Sequence, residues 1–132
     1  MSIVRMTTVQ MAAIDVLVVD DFTDWQQFVK TCLCQKPDVH IAGFATTAAE
    51  AIQKAKELQP DLVILDISLP GPDGIEAARQ IRTLTPRSRI LFLSGSSDPA
   101  IARQAIMAGD GYVLKWDADL ELVPGIEAVL SD

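Results

Sequence analysis

The chain has few of the residues that build disulfides and transition-metal sites: two cysteines, Cys32 and Cys34, and one histidine, His40. The cysteines stand two apart on a predicted helix, so their side chains leave by different faces. They cannot bridge each other without distortion, and are expected as small buried or half-buried side chains in a reducing compartment. A zinc site needs more ligands than remain, and His40 is expected on the surface of a strand. Positive charge is also scarce, with 11 Lys and Arg against 18 Asp and Glu, a formal net charge of −7. Direct nucleic-acid binding would need a basic face and is not expected. The acidic balance fits a cytoplasmic protein that meets other proteins or binds cations. No apolar run approaches the ~20 residues of a membrane helix, so no membrane association is expected. Residues 1–13 have no continuous apolar core of a secretory signal; they are read as a loosely ordered N-terminal extension. Internal repeats, linkers and glycine-rich nucleotide loops are missing too, since Gly71 and Gly74 follow the wrong pattern for one.

What is present is a strict alternation. With 132 residues, 49% of them hydrophobic, the chain has the length of one domain with a real core, here residues 14–132. Short apolar runs at about 15–19, 39–44, 62–66, 89–93 and 111–115 read as strands. Between them lie helical patterns. Trp25, Phe28, Val29, Cys32 and Leu33 mark the first, ended by Pro37. Thr47-Ala48-Ala49-Glu50 is a capping box opening the second, which stops at Pro60. Ile75, Ala78, Ile81 and Leu84 mark the third. Asp98 and Pro99 open the fourth, with Gly109 as its C-terminal glycine. The last is drawn from about Asp119 to Leu130. Pro124 sits awkwardly in it, so that helix either begins later or is kinked. Repeated βα units imply a parallel sheet with right-handed crossovers and helices on both faces.

Four of the apolar runs end in a polar signal: Val16–Val19 in Asp20-Asp21, Leu62–Leu65 in Asp66, Ile90–Leu93 in Ser94, and Tyr112–Leu114 in Lys115. In an open parallel sheet, ligands gather at the carboxyl ends of the strands. Three carboxylates, a hydroxyl and an amine are therefore expected on one edge. Clustered carboxylates repel, and at least one pKa should rise unless a cation joins them. Hard oxygen ligands suit Mg²⁺, and an aspartate beside it can act as nucleophile toward a phosphoryl group. Lys115 would offset charge on the transferring oxygens and Ser94 would donate a hydrogen bond. Such catalysis is mostly positioning and electrostatics.

These residues, with the turn Leu69-Pro70-Gly71-Pro72-Asp73-Gly74, the segment Leu93-Ser94-Gly95 and the strand Gly111–Lys115, resemble the receiver domain of two-component response regulators. The resemblance runs from about Asp15 to Leu130. It implies a three-layer α-β-α, flavodoxin-like fold with five helices and a five-stranded parallel sheet in the order 2-1-3-4-5. It implies Asp66 as phosphoacceptor, with Mg²⁺ held by Asp20, Asp21, Asp66 and the backbone carbonyl of Ser68. Ser94 is the implied switch hydroxyl. Lys115 is the implied phosphoryl ligand, attracted to Asp66 before phosphorylation, and Tyr112 the aromatic that moves between outward and inward positions. Gly95 leaves room beside the phosphoryl group. Ser68 and Ser96 stand where phosphoryl lifetime is tuned, and Pro70 and Gly74 shape the loop beneath. The implied partners are a sensor histidine kinase or phosphotransfer protein and a downstream output protein or domain, with phosphorylation-linked homodimerisation common. The implied role is phosphorelay switching, not turnover of a separate substrate.

One departure is Trp116, where many receivers have proline after a cis bond. The bond here is either trans with a different loop, or strained. Receivers joined to helix-turn-helix output domains often lack that proline, and Pro37-Asp38-Val39 also looks like that branch. The chain stops after its last helix, so a single-domain regulator and an excised receiver are both open. Trp25 and Trp116 are read as packing residues, with Trp25 near the rim of the site. Two other functions compete. A pseudo-receiver would use the fold only for binding, which the complete residue set disfavours. An aspartyl phosphatase would want a second aspartate two residues after the nucleophile, where Ser68 stands.

Overall fold

The structure, a computed structural model, describes residues 13–71 and 73–131. The expected extension, Ala13 apart, and Pro72 of the turn lie outside the described residues. Strands and helices alternate: β1 (Ile14–Val19), α1 (Thr23–Leu33), β2 (Val39–Ala45), α2 (Ala48–Leu58), β3 (Leu62–Leu65), α3 (Gly74–Leu84), β4 (Arg89–Ser94), α4 (Pro99–Ala108), β5 (Gly111–Leu114) and α5 (Ala118–Leu130). All pairings are parallel, in the order β2-β1-β3-β4-β5, as expected.

Side chains alternate across a strand, and here both sets are buried. Val16 and Val18 face a core shared with Val29 of α1 and Leu122 and Ile126 of α5. Leu17 and Val19 face a second core with Ala51 of α2, Ile81 of α3 and Ala105 of α4. Helices thus cover both faces, which is why β1, β3 and β4 read as apolar runs. From β1 the chain turns one way to β2 and then crosses back to β3. The strand order therefore reverses between β1 and β3, the place where an open α/β sheet leaves a crevice at its carboxyl edge.

Local chemistry sets the helix ends. Thr47 accepts from the Glu50 N–H at 3.1 Å. The return bond of the capping box is displaced by one residue: the Glu50 carboxylate takes the N–H of Thr46 at 2.7 Å. That bond helps hold the Glu50 carboxyl below its usual range. Asp98 accepts from Ala100 N–H at 2.9 Å, with Pro99 in the first turn of α4.

Gly109 ends α4 as expected, its N–H donating to the Ala105 carbonyl, but in an extended conformation (φ −134°) that any residue adopts. Space demands the glycine instead: a Cβ there would lie 2.6 Å from a ring carbon of Phe92. Three expectations need correction. The last helix does not begin later to avoid its proline: it spans Ala118–Leu130, close to the expected bounds, and runs through Pro124. Its buried stripe of Ala118, Leu122, Ile126 and Val129 outweighs the one backbone bond that proline removes. Cys34 is exposed, although Cys32 is half-buried as expected. Trp116 is not a packing residue; it is 81% exposed.

Candidate functional site

The site begins with two backbone rungs. Asp20 N–H donates to the Ala45 carbonyl and Asp66 N–H to the Val19 carbonyl, each at 3.0 Å. These bonds extend the sheet one residue past β1 and β3 and carry both aspartates to its carboxyl edge. Each then turns back on its own loop. Phe22 N–H donates to Asp20 Oδ1 at 2.9 Å, and Ser68 N–H donates to Asp66 Oδ1 at 3.1 Å. One oxygen of each carboxylate is satisfied locally, and the other faces the crevice.

Lys115 meets those two oxygens. Its Nζ lies 2.8 Å from Asp20 Oδ2 and 3.3 Å from Asp66 Oδ2. The expected pair with Asp66 is present, but Asp20 is the nearer partner. Asp20 and Asp66 are both buried. Burial, and the Asp20 charge after it, pushes the Asp66 carboxyl up from its ordinary range. Lys115 and the Ser68 N–H pull it part of the way back. Asp21 is exposed, yet carboxylate oxygens of Asp20, Asp21 and Asp66 lie within 4.8 Å of one another. Three acids with one ammonium leave an uncompensated negative cluster of oxygen ligands, a set that fits a divalent cation.

Ser94, at the end of β4, is buried. Its Oγ accepts from Ser96 N–H at 3.1 Å; the cap of α4 is Asp98, so capping does not explain Ser94. Gly95 is exposed, and a Cβ there would meet nothing within 4 Å. Ser96 is half-buried, and its carbonyl accepts from the Tyr112 hydroxyl at 2.5 Å. The tyrosine thus ties β5 to the loop after β4, beside a cavity of about 480 Å³ that Leu114, Asp117 and Glu121 also line. Ser68 is exposed. Beneath the site, Gly71 has a φ of +81° that favours glycine. A Cβ on Gly74 would stand 2.1 Å from the Asp66 carbonyl oxygen. The Lys115–Trp116 bond is trans, and β5 ends at Leu114 in a single 3₁₀ turn, Lys115–Asp117, that runs into α5.

Sequence reasoning missed Gln26. Its side-chain amide donates to the Asp20 carbonyl at 2.8 Å and reaches that of Ala45 at 3.4 Å, clamping the loop that holds Asp20. The one available signal was its place beside Trp25, a turn before the buried Val29.

Such an acidic crevice at the switch point of a 2-1-3-4-5 sheet defines a class of phosphoryl-responsive α/β domains. The sequence model of the response regulator receiver domain matches residues 16–126, and the chain belongs to that family. Chemotaxis protein CheY of Thermotoga maritima is 37% identical over 94 residues, covering 71% of this chain and 78% of that protein. Response regulator protein VraR of Staphylococcus aureus is 35% identical over 114 residues, 86% of this chain but 54% of VraR. The chain therefore spans about half the length of that relative. Among solved structures, a LuxR-family two-component response regulator from Aurantimonas sp. SI85-9A1 superposes with a TM-score of 0.85 at 35% identity, covering 91% of this chain and 86% of that one. The chain is thus a receiver domain of two-component signalling, a phosphoacceptor signalling module. No helix among the described residues is long and apolar enough to cross a membrane.

Proposed function

We propose that Asp66 accepts a phosphoryl group from the phosphohistidine of a sensor histidine kinase or phosphotransfer protein. The observation that carries this reading is the pair of buried aspartates sharing one lysine at the switch point. Asp66 Oδ2 attacks phosphorus, the P–N bond to the imidazole breaks, and the ring nitrogen recovers a proton. Asp20, Asp21, Asp66 and the Ser68 carbonyl would hold Mg²⁺, which supplies positive charge for the phosphoryl oxygens. Lys115 binds one of those oxygens, and the Ser94 hydroxyl donates to another once it turns from Ser96. Gly95 leaves the approach open and Ser96 borders it.

The acyl phosphate carries ≈ −1.5 to −2 charges by analogy with other phosphorylated side chains, in place of the single charge of the carboxylate. That charge draws Ser94 and the loop after β4 inward and biases Tyr112 toward its inward position. The face of α4, β5 and α5 then shifts between two populations. The reading extends to a cytoplasmic domain of residues 14–132 behind an N-terminal extension. The shifted face serves an output domain or protein, or a second copy of the chain, and no separate substrate is turned over.

The test is intact mass after incubation with acetyl phosphate, with and without Mg²⁺. The expected result is a Mg²⁺-dependent gain of one phosphoryl group that Asp66→Asn abolishes. Folded wild type that gains nothing with Mg²⁺ would sink the reading in favour of a constitutive binding module.

A further inference from the structure

We propose that Trp25 is a positioning residue for Lys115, its indole face keeping the ammonium beside Asp66 when a divalent cation occupies the three carboxylates. This rests on the phosphoacceptor reading and deepens it.

Lys115 Nζ lies 4.9 Å from the Trp25 ring centroid, inside the ~6 Å over which an aromatic face attracts a cation. The ammonium therefore has three neighbours: Asp20 Oδ2, Asp66 Oδ2 and the indole. The Lys115 side chain is only 15% exposed, so the ring acts on a cation largely out of water, where this attraction is stronger. The indole is itself fixed. It meets Phe28 edge-to-face with centroids 5.2 Å apart, on a helix anchored by the buried Val29 and Leu33. The ring is a wall set by α1, not a flap that follows the lysine.

The wall matters most when the carboxylates are engaged. Without a cation, Asp20 and Asp66 suffice to hold the ammonium. A divalent cation among Asp20, Asp21 and Asp66 competes for the same oxygens and repels Lys115. A lysine on a flexible four-carbon stem would then swing toward solvent. The indole face is no ligand for a hard, oxygen-seeking cation, so its attraction for the ammonium persists. Trp25 thereby keeps Lys115 poised for a phosphoryl oxygen when Asp20 no longer does. A leucine could fill much of the same space without that attraction.

The experiment uses the full chain. The ε-methylene signal of Lys115, assigned by its loss in Lys115→Gln, is followed by carbon–proton NMR with and without Mg²⁺. Phosphoryl uptake from acetyl phosphate at saturating Mg²⁺ is followed by intact mass. The expected result is an upfield ring-current shift that survives Mg²⁺, disappears in Trp25→Leu and remains in Trp25→Phe. Trp25→Leu should slow uptake by about threefold to tenfold, an effect the size of one partly desolvated cation–π contact. Trp25→Phe should restore most of the rate. In the Lys115→Gln background, Trp25→Leu should slow uptake no further, which separates positioning from a packing defect. An ordinary Lys115 shift in the Mg²⁺-bound wild type overturns the proposal. So does a Trp25→Leu rate equal to wild type, or an equal slowing by Trp25→Leu in the Lys115→Gln background. Wild type that takes up no phosphoryl group overturns the phosphoacceptor reading and this role together. Uptake by wild type with no effect of the ring overturns this role alone.

Discussion

At the amino end of the sheet, polar side chains have partners of their own, while at the carboxyl end two buried aspartates share. Ser88 donates to the Pro60 carbonyl, and Thr85 to that of Ile81. Asp110 pairs with Arg82 at 2.9 Å and accepts the Ile90 N–H at 2.8 Å. At the other end, Asp20 and Asp66 divide one ammonium, and Asp21 stands close by with no cationic partner among the described residues. One-to-one matching is what stability alone asks of buried polar groups. A surplus of negative charge is unfavourable until a cation arrives, so the imbalance marks the end where a ligand acts.

The comparison can be broken or sharpened at five points. Gly74→Ala should have the largest effect, about 3 kcal/mol of stability, because its Cβ meets backbone that cannot turn aside. Urea unfolding would measure it, and phosphoryl uptake should fall too, since the obstructed atom is the Asp66 carbonyl. Mg²⁺ at about a hundred times its Kd should add ≈ 2.7 kcal/mol to the wild type, read as a rise in the urea midpoint. Asp110→Ala, at the matched end, should cost about 1–3 kcal/mol by stranding the Ile90 N–H and Arg82, with Mg²⁺-dependent uptake unchanged.

Asp66→Asn should have a smaller effect of opposite sign. Because burial raises the Asp66 pKa, the folded chain holds this proton more tightly than the unfolded chain does. The protonated form's contribution is complete below the unfolded value of about 3.9 and is lost as pH rises through the higher folded value. At neutral pH the ionised carboxylate is therefore a cost, which Asn removes. In EDTA the variant should be the more stable at neutral pH, with its advantage closing as pH falls toward about 4. Trp116→Ser should change stability by less than about 0.5 kcal/mol, measured by the same unfolding curves.

The runs of β1, β3 and β4 were legible because burial on both faces leaves no polar position in their middle. Asp20, Asp66, Ser94 and Lys115 were legible because each interrupts such a run at one end. Less visible was anything set by approach between distant segments. Gly109 was legible as the end of α4, but not the closeness of Phe92, far away in sequence, that leaves no room for a Cβ there. The 3₁₀ turn Lys115–Asp117 ahead of α5 was not visible, because so short a turn has no periodicity to read. Gln26 was invisible because its partners are two backbone carbonyls, which leave no trace in side-chain identity. Trp116 shows the reverse error: a large apolar residue read as packing, but left in solvent in the 3₁₀ turn.

The chain has two tryptophans, and they sit in opposite surroundings. Trp25 is half-buried against the ammonium of Lys115, while Trp116 stands in water. Acrylamide should therefore extinguish the emission of one long before the other. What survives is light from an indole a few ångströms from the acidic crevice. The protein carries its own optical probe of that crevice, and the second fluorophore can be silenced by a quencher rather than by mutation.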